Sequence, residues 1–242
     1  MGATLSIVIP IFNERDTWRE LIRRVEAVDL GDVRRELILV DDGSTDGTRD
    51  QLQAFAGERP DVKVLFHPAN AGKGAAVRTG FAAAGGDFVV VQDADLEYDP
   101  ADFPALLQPL LAGHADAVFG SRFRAPHHAT GSRRNYLANR FLTFLSNRTT
   151  GLGLTDMETC YKMFRRDALA GIRLVENRFG FEPEITAKAA AANLRVVERP
   201  IRYAPRTRRE GKKIGLGDGL AAIACIVKYR PRKRAARRPA GR

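Results

Sequence analysis

The stretch VVVQDADLEYDP runs from apolar residues straight into acid: Asp93, Asp95, Glu97 and Asp99 hold alternate positions just after Val89, Val90 and Val91. Four carboxylates at that spacing repel one another, so the segment calls for positive charge. In an extended chain alternate side chains share a side, which aims Asp93 and Asp95 together. Two such groups suit a hard divalent cation, Mg2+ or Mn2+, which bridges phosphate oxygens, takes one or two protein carboxylates and completes its shell with water. A solvated acidic loop is the structural alternative. Other polar groups follow neighbouring apolar runs: Pro10, Phe12, Asn13 and Glu14 after LSIVIP, Asp41 and Asp42 after ELILV.

Two glycine-rich phosphate motifs are excluded. GKGAAV at Gly72 begins like a dinucleotide fingerprint, but Val77 stands where the third glycine belongs, and the motif follows the third apolar run instead of the first. A P-loop needs Ser or Thr after Gly-Lys, where this chain has Gly74. The glycines still permit close backbone approach to a ligand, and Lys73 can reach a carbonyl or phosphate.

The elements that must position these residues alternate through the first half. LSIVIP, ELILV, VKVLFH, DFVVVQ and ADAVFGSR read as strands. Between them lie helices over DTWRELIRRVEAV, STDGTRDQLQAFA, GKGAAVRTGFAAA and DFPALLQPLL, the last interrupted at Pro109. Continuously apolar strands alternating with helices predict an α/β fold, a mostly parallel central sheet with helices on both faces. In such open sheets ligands bind at the carboxyl ends of the strands, where the acids and amides above arrive. In the second half NYLANRFLTFLSNRTTG is a helix, METCYKMFRR is extended, and EPEITAKAAAANL is a helix led by Pro183. RVVERPIRYAP is an edge strand with Pro200 and Pro205, and DGLAAIACIVKYR is a short apolar helix.

Among 242 residues, 44% are hydrophobic and 28% charged, which suits a globular, soluble chain. The net charge of +10 is localised: Arg199 to Arg242 holds 15 Lys+Arg against Glu210 and Asp218, while the remainder holds 24 Lys+Arg and 27 acids. A basic end of this kind suggests a polyanion, either nucleic acid or an anionic membrane surface. Cys160 and Cys225 fit no metal spacing, the N-terminus shows no basic leader, and no apolar run nears the ~20 residues that cross a bilayer. A cytoplasmic protein, peripheral at the inner face of a membrane, is the expectation.

IVIPIFNE, LVDDGSTDGT, NAGKGAA, DADLEYDP and GSRF occur here in the order and approximate spacing of family 2 glycosyltransferases with the GT-A nucleotide-diphospho-sugar transferase fold. The chain further resembles the polyprenol-phosphate hexosyltransferase branch, which includes dolichol-phosphate mannose and glucose synthases. TDMETCYKMFRRD looks like that branch's second-half motif, with its glycine missing before Tyr161; Phe12 replaces the usual Tyr. The resemblance runs from about Leu5 to Tyr229. It implies a catalytic domain over 1–211; the apolar pattern beyond reads as an interfacial amphipathic helix over 212–230, and the composition as a basic disordered tail over 231–242.

The implied reaction is metal-dependent, inverting transfer of a hexose from UDP-glucose or GDP-mannose to a polyprenyl phosphate. Pro10, Phe12, Glu14 and Asp42 would frame the base and ribose, with Lys73, Asp93 and Arg206 at the diphosphate. Asp93, Asp95 and Glu97 would hold Mg2+ or Mn2+, so that Asp95 acts catalytically through the ion. Arg122 and Arg133 are assigned to the acceptor phosphate, since guanidinium forks bind such oxygens bidentately. Asp156 is a base or an orienting group beside the acceptor, with backbone capping as its structural alternative. Arg208, Lys212 and Lys213 would meet lipid headgroups, and Leu220, Ile223, Ile226 and Val227 would lie in the interface. The rival enzyme, a sugar nucleotidyltransferase, would want a Gly-rich, Arg-containing loop where IFNERD stands. A non-enzymatic polyanion-binding protein would use the basic tail, yet it leaves the acid cluster unexplained, so nucleic acid is not the expected partner.

Overall fold

One seven-stranded sheet collects the apolar runs, and its strand order decides where each chemical residue emerges. A computed structural model describes residues 2–124, 133–206 and 216–231. The strands are β1 (Thr4–Ile11), β2 (Arg34–Asp41), β3 (Lys63–Phe66), β4 (Phe88–Val91), β5 (Ala117–Ser121), β6 (Lys162–Arg165) and β7 (Val196–Pro200). They lie in the order β3-β2-β1-β4-β6-β5-β7. Leu5, Ile7, Val8, Ile9 and Ile11 of β1 are all buried, as expected of an interior parallel strand covered on both sides.

The helices are α1 (Trp18–Glu26), α2 (Thr48–Glu58), α3 (Lys73–Ala83), α4 (Phe103–Leu111), α5 (Arg133–Thr150), α6 (Arg166–Ala170), α7 (Phe181–Ala191) and α8 (Leu216–Lys228). Spacing alone placed Trp18, Leu21, Ile22 and Val25 on the buried face of α1, and they lie there. Helix α3 comes close to β1 because Gly80 has no side chain; a Cβ there would collide with Val8. Helix α4 continues through Pro109 without the expected interruption. Buried Phe103, Leu106, Leu107 and Leu110 hold it, offsetting the backbone hydrogen bond that proline removes. Pro183 falls inside the first turn of α7, where the N–H it lacks has no helical partner to lose.

The sheet is mostly parallel, with one exception that the sequence did not disclose. Strand β6 is inserted antiparallel between β4 and β5, pairing Val89 with Phe164 on one side and Val118 with Met163 on the other. METCYKMFRR is therefore extended only from Lys162, and its first half is the loop leading in. Lys162 is fully buried in that central strand, its Nζ donating to the carbonyls of Met157 at 2.8 Å and Thr159 at 2.6 Å.

Helices α5, α7 and α8 pack on one another. Ala222, Cys225 and Ile226 of α8 face inward, so Ile226 belongs to the core and not to an outer surface as its spacing suggested. Leu220 (70% exposed) and Val227 (56%) face outward, and α5 adds Leu137 (66%), Phe141 (54%) and Phe144 (58%). Among the described residues no helix is long and apolar enough to cross a membrane. The segment with His127, His128 and Gly131, the cations Arg208, Lys212 and Lys213, the boundary at 211 and the tail beyond Pro231 lie outside the described residues.

Candidate active site

The loop after β1 is tied to the loop after β2. Asn13, at a φ of 52°, donates its backbone N–H to Ser44 Oγ at 3.0 Å, and its side chain accepts from Thr45 N at 2.8 Å. The backbone N–H of Glu14 donates to Thr48 Oγ1 at 3.1 Å. Pro10 pairs opposite Val40, one residue before β1 ends at Ile11 opposite Asp41, and Phe12 is half-buried just beyond.

Asp42 is buried and spends both oxygens inside the protein. One accepts from Ala71 N at 2.9 Å and meets His67 Nδ1 at 2.7 Å; the other accepts from Gly72 N at 2.7 Å. These bonds give Asp42 a structural job, holding the turn that leads into α3. The glycines of that turn also serve the fold. A Cβ on Gly72 or Gly74 would collide with the backbone of Asn177 and Glu176, so these glycines let α3 approach the chain before α7 closely.

Beyond β4 the chain turns, with Leu96 at a φ of 62°, instead of staying extended. Asp93 accepts from Lys73 Nζ at 2.8 Å, and Lys73 bridges on to Glu182 at 2.9 Å. Asp95 meets Arg206 Nη2 at 3.0 Å, and the same guanidinium reaches Glu14 at 3.2 Å. Arg206 is aimed by the strip before it: Tyr98 bridges Tyr203, and Ala204 N donates to the Glu97 carbonyl at 2.8 Å. The Glu97 carboxylate accepts from Tyr203 Oη and from Arg206 N at 3.0 Å. It braces that strip, and the role of third metal ligand falls away. Among the described residues no three acidic, His or Cys side chains converge as a metal cage.

The remaining pair, Asp93 and Asp95, fits a divalent ion that brings its own phosphate and water oxygens. Burial, together with the charges of Asp93 and Glu97, pushes the Asp95 carboxyl up to about 7. Lys73 and Arg206 are the cations that face this pair of carboxylates. Burial opposes both of those cations, yet facing carboxylates hold them above their ordinary ranges, Asp93 foremost for Lys73 and Asp95 for Arg206.

Past β5, Arg122 and Asp156 form a sealed fork. Nε and Nη2 of Arg122 donate to the two oxygens of fully buried Asp156, each at 2.7 Å, and Arg122 N donates to the same carboxylate at 3.0 Å. Both oxygens of that carboxylate are engaged in holding Arg122. Asp156 is thereby set to orient Arg122 and the backbone just after β5. The same fork denies Arg122 the bidentate phosphate grip expected of it. Arg133 is exposed at the start of α5, open to solvent as an acceptor-binding group must be. Arg124 lies 3.9 Å from Glu198, whose carboxylate accepts from the backbone of Thr155 and Asp156.

Sequence reasoning overlooked two contributors. Glu182 holds Lys73 from the first turn of α7, where an acid reads as favourable to the helix end and nothing more. Tyr203 sits in a segment whose prolines drew attention away from its hydroxyl.

A model described as "Glycosyl transferase family 2" matches residues 6–173, and the chain belongs to that family. It is 34% identical over 228 residues to the undecaprenyl-phosphate mannosyltransferase of Micrococcus luteus, covering 89% of this chain and 90% of that protein. It is 32% identical to the undecaprenyl-phosphate 4-deoxy-4-formamido-L-arabinose transferase of Edwardsiella ictaluri, covering 86% of this chain but 62% of the relative. The Pseudomonas syringae protein of the same name is 35% identical over 74% of this chain and 52% of its own length, so the chain spans only about half to three-fifths of these two arabinose transferases. The fold is that of GT-A glycosyltransferases. Glucosyl-3-phosphoglycerate synthase from Mycobacterium tuberculosis, solved with Mn2+, UDP and phosphoglyceric acid, superposes with a TM-score of 0.71 at 24% identity, over 94% of this chain and 78% of that one.

Proposed function

We propose that this chain transfers a sugar, with inversion, from a UDP- or GDP-linked donor to a polyprenyl phosphate, using a divalent ion held by Asp93 and Asp95. One observation carries the reading: two half-buried carboxylates just past the end of β4 are each paired to a cation, Lys73 on one flank and Arg206 on the other. That quartet is matched to a metal diphosphate, which offers a cation to the carboxylates and anionic oxygens to Lys73 and Arg206. The exchange keeps every charge partnered. It is supported by the undecaprenyl-phosphate transferases among the relatives and by the Mn2+ and UDP of the structural neighbour.

When bound, the ion supplies Lewis-acid neutralisation of the departing diphosphate. The protein's own groups do the rest. Lys73 and Arg206 take up the leaving charge in a partly buried setting, where each interaction counts for more than in water. The acceptor is a phosphate monoester whose second pKa is about 6, so it arrives ionised and needs no strong general base. Asp156 suits that chemistry as an orienting group, fixing Arg122 and the chain after β5. Arg133 stands at the edge where the acceptor phosphate enters. The test is incubation with UDP- and GDP-sugars, Mn2+ and undecaprenyl phosphate. Labelled sugar should move into the lipid fraction from one donor; no transfer there, with consumption of a nucleoside triphosphate and a sugar phosphate in a parallel incubation, would favour the nucleotidyltransferase.

The acceptor's lipid chain places the reaction at a membrane surface. Leu137, Phe141 and Phe144 recur at intervals of four and three along α5, and Leu220 and Val227 stand seven apart on α8, so each set lies on one helix face. Helix α5 carries Arg133, Arg134, Arg140 and Arg148 and no acid, which suits anionic headgroups worth on the order of 1 kcal/mol per cation. Replacing Phe141 and Phe144 by aspartate removes two ring insertions of about 1.5 kcal/mol each. Cosedimentation with phosphatidylglycerol vesicles should fall at least about tenfold; unchanged binding would remove this face from the account.

A further inference from the structure

The first turn of α3, which carries Lys73, is seated on the loop before α7. Ala75 N donates to the Asn177 carbonyl at 3.1 Å, and Gly72 and Gly74 admit no Cβ against Asn177 and Glu176. One turn on, Arg78 donates Nη1 to the Glu176 carbonyl and Nη2 to Asn177 Oδ1, both at 2.6 Å. Whatever fixes residues 175–178 therefore fixes where Lys73 points.

That loop is gripped from two sides. Glu184 of α7 accepts from Val175 N and Glu176 N, each at 2.8 Å. From the other side, the Glu176 carboxylate turns away from the site and accepts from Lys228 Nζ at 2.7 Å and Tyr229 Oη at 2.6 Å, at the far end of α8. These bonds, Lys228 foremost, hold the Glu176 carboxyl below its ordinary range. Cys225 of the same helix fills the space over Gly180, where a Cβ would crowd its Sγ.

We propose that Glu176, clasped by Lys228 and Tyr229, is a positioning residue: it ties the seating of α8 to the aim of Lys73 and so to the grip on the donor's diphosphate. The proposal rests on the donor reading above. Its consequence is that the helix bearing Leu220 and Val227 sets donor affinity from a distance, without touching the nucleotide. By linkage, any condition that firms α8 in place must tighten nucleotide binding, and nucleotide must firm α8 by the same factor.

The experiment is calorimetric titration of UDP and GDP with Mn2+ into the full chain, comparing wild type with the Lys228→Met, Tyr229→Phe double variant. That variant keeps both apolar bodies and removes both donors. The expected result is a dissociation constant about fivefold weaker, the low end of what coupled sites show. Lys228→Arg alone should stay within twofold of wild type, because a guanidinium also reaches Glu176. Leu110→Ala removes buried core volume from α4, which packs on β5 and β6 and not on α8 or the clasp; it should lower the melting temperature at least as much as the double variant while leaving nucleotide affinity within twofold. Equal affinity in wild type and double variant overturns the clasp while the donor reading stands. A weakening by Leu110→Ala as large as that of the double variant reduces it to plain destabilisation and also overturns it. Failure of wild type to bind either nucleotide overturns the donor reading, and the clasp with it.

Discussion

Replacing Asp93 and Asp95 together by asparagine should lower sugar transfer at least about 10^3-fold while leaving the fold in place. The loss follows from several kcal/mol of leaving-group stabilisation forgone, at 1.36 kcal/mol per factor of ten. The fold survives because neither flanking cation is stranded. Lys73 keeps Glu182 at 2.9 Å, and Arg206 keeps Glu14 at 3.2 Å and the Glu97 carboxylate at 3.6 Å. The substitution also relieves the burial of charge and the repulsion from Asp93 and Glu97 that together push Asp95 up to about 7. Melting within a few degrees of wild type, with transfer gone, is the expected pair of readings. Full transfer in the presence of a chelator would remove the ion from the account.

Breaking the sealed fork past β5 should have the opposite signature, a loss of stability first. Asp156→Leu leaves the Arg122 guanidinium buried without its partner, and the backbone N–H of Arg122 loses its acceptor. Removing one member of a buried ion pair costs about 3–5 kcal/mol, and a domain of this size melts about 2–4 °C lower per kcal/mol. A drop of about 6–20 °C follows. Arg122→Met should cost a similar amount by leaving the Asp156 carboxylate unpaired. The double variant should recover much of the loss, because an apolar pair of similar volume replaces a buried ion pair at little net cost. Additive losses in the double variant would mean that the two residues act separately, and the orienting role given to Asp156 would go with that result.

The sheet was legible where burial leaves a continuous apolar run, as in LSIVIP, ELILV and DFVVVQ. It was least legible at β6, where Lys162 interrupts the apolar pattern of a central strand and is satisfied by carbonyls that only the fold supplies. The acids of the site stood out because type and position together were unusual for a strand end. Their partners did not. A carboxylate's partner lies far along the chain, as with Asp93 and Lys73, Asp95 and Arg206, or Arg122 and Asp156, and no local period encodes such a pairing. Asp42 shows the limit from the other side: an acid at the expected strand end proved to be bound up in the turn before α3. The outward face of α5 was readable in principle from Leu137, Phe141 and Phe144. A stripe of that kind looks the same whether a core or a solvent-side surface receives it.

The central claim is that Asp93 and Asp95 take up a divalent ion together with a nucleoside diphosphate. Electron paramagnetic resonance of Mn2+ tests it without any turnover. Adding wild-type protein and UDP or GDP should quench the free Mn2+ signal beyond what the nucleotide alone achieves, and the Asp93→Asn, Asp95→Asn variant should add nothing. Equal quenching by wild type and variant would contradict the claim.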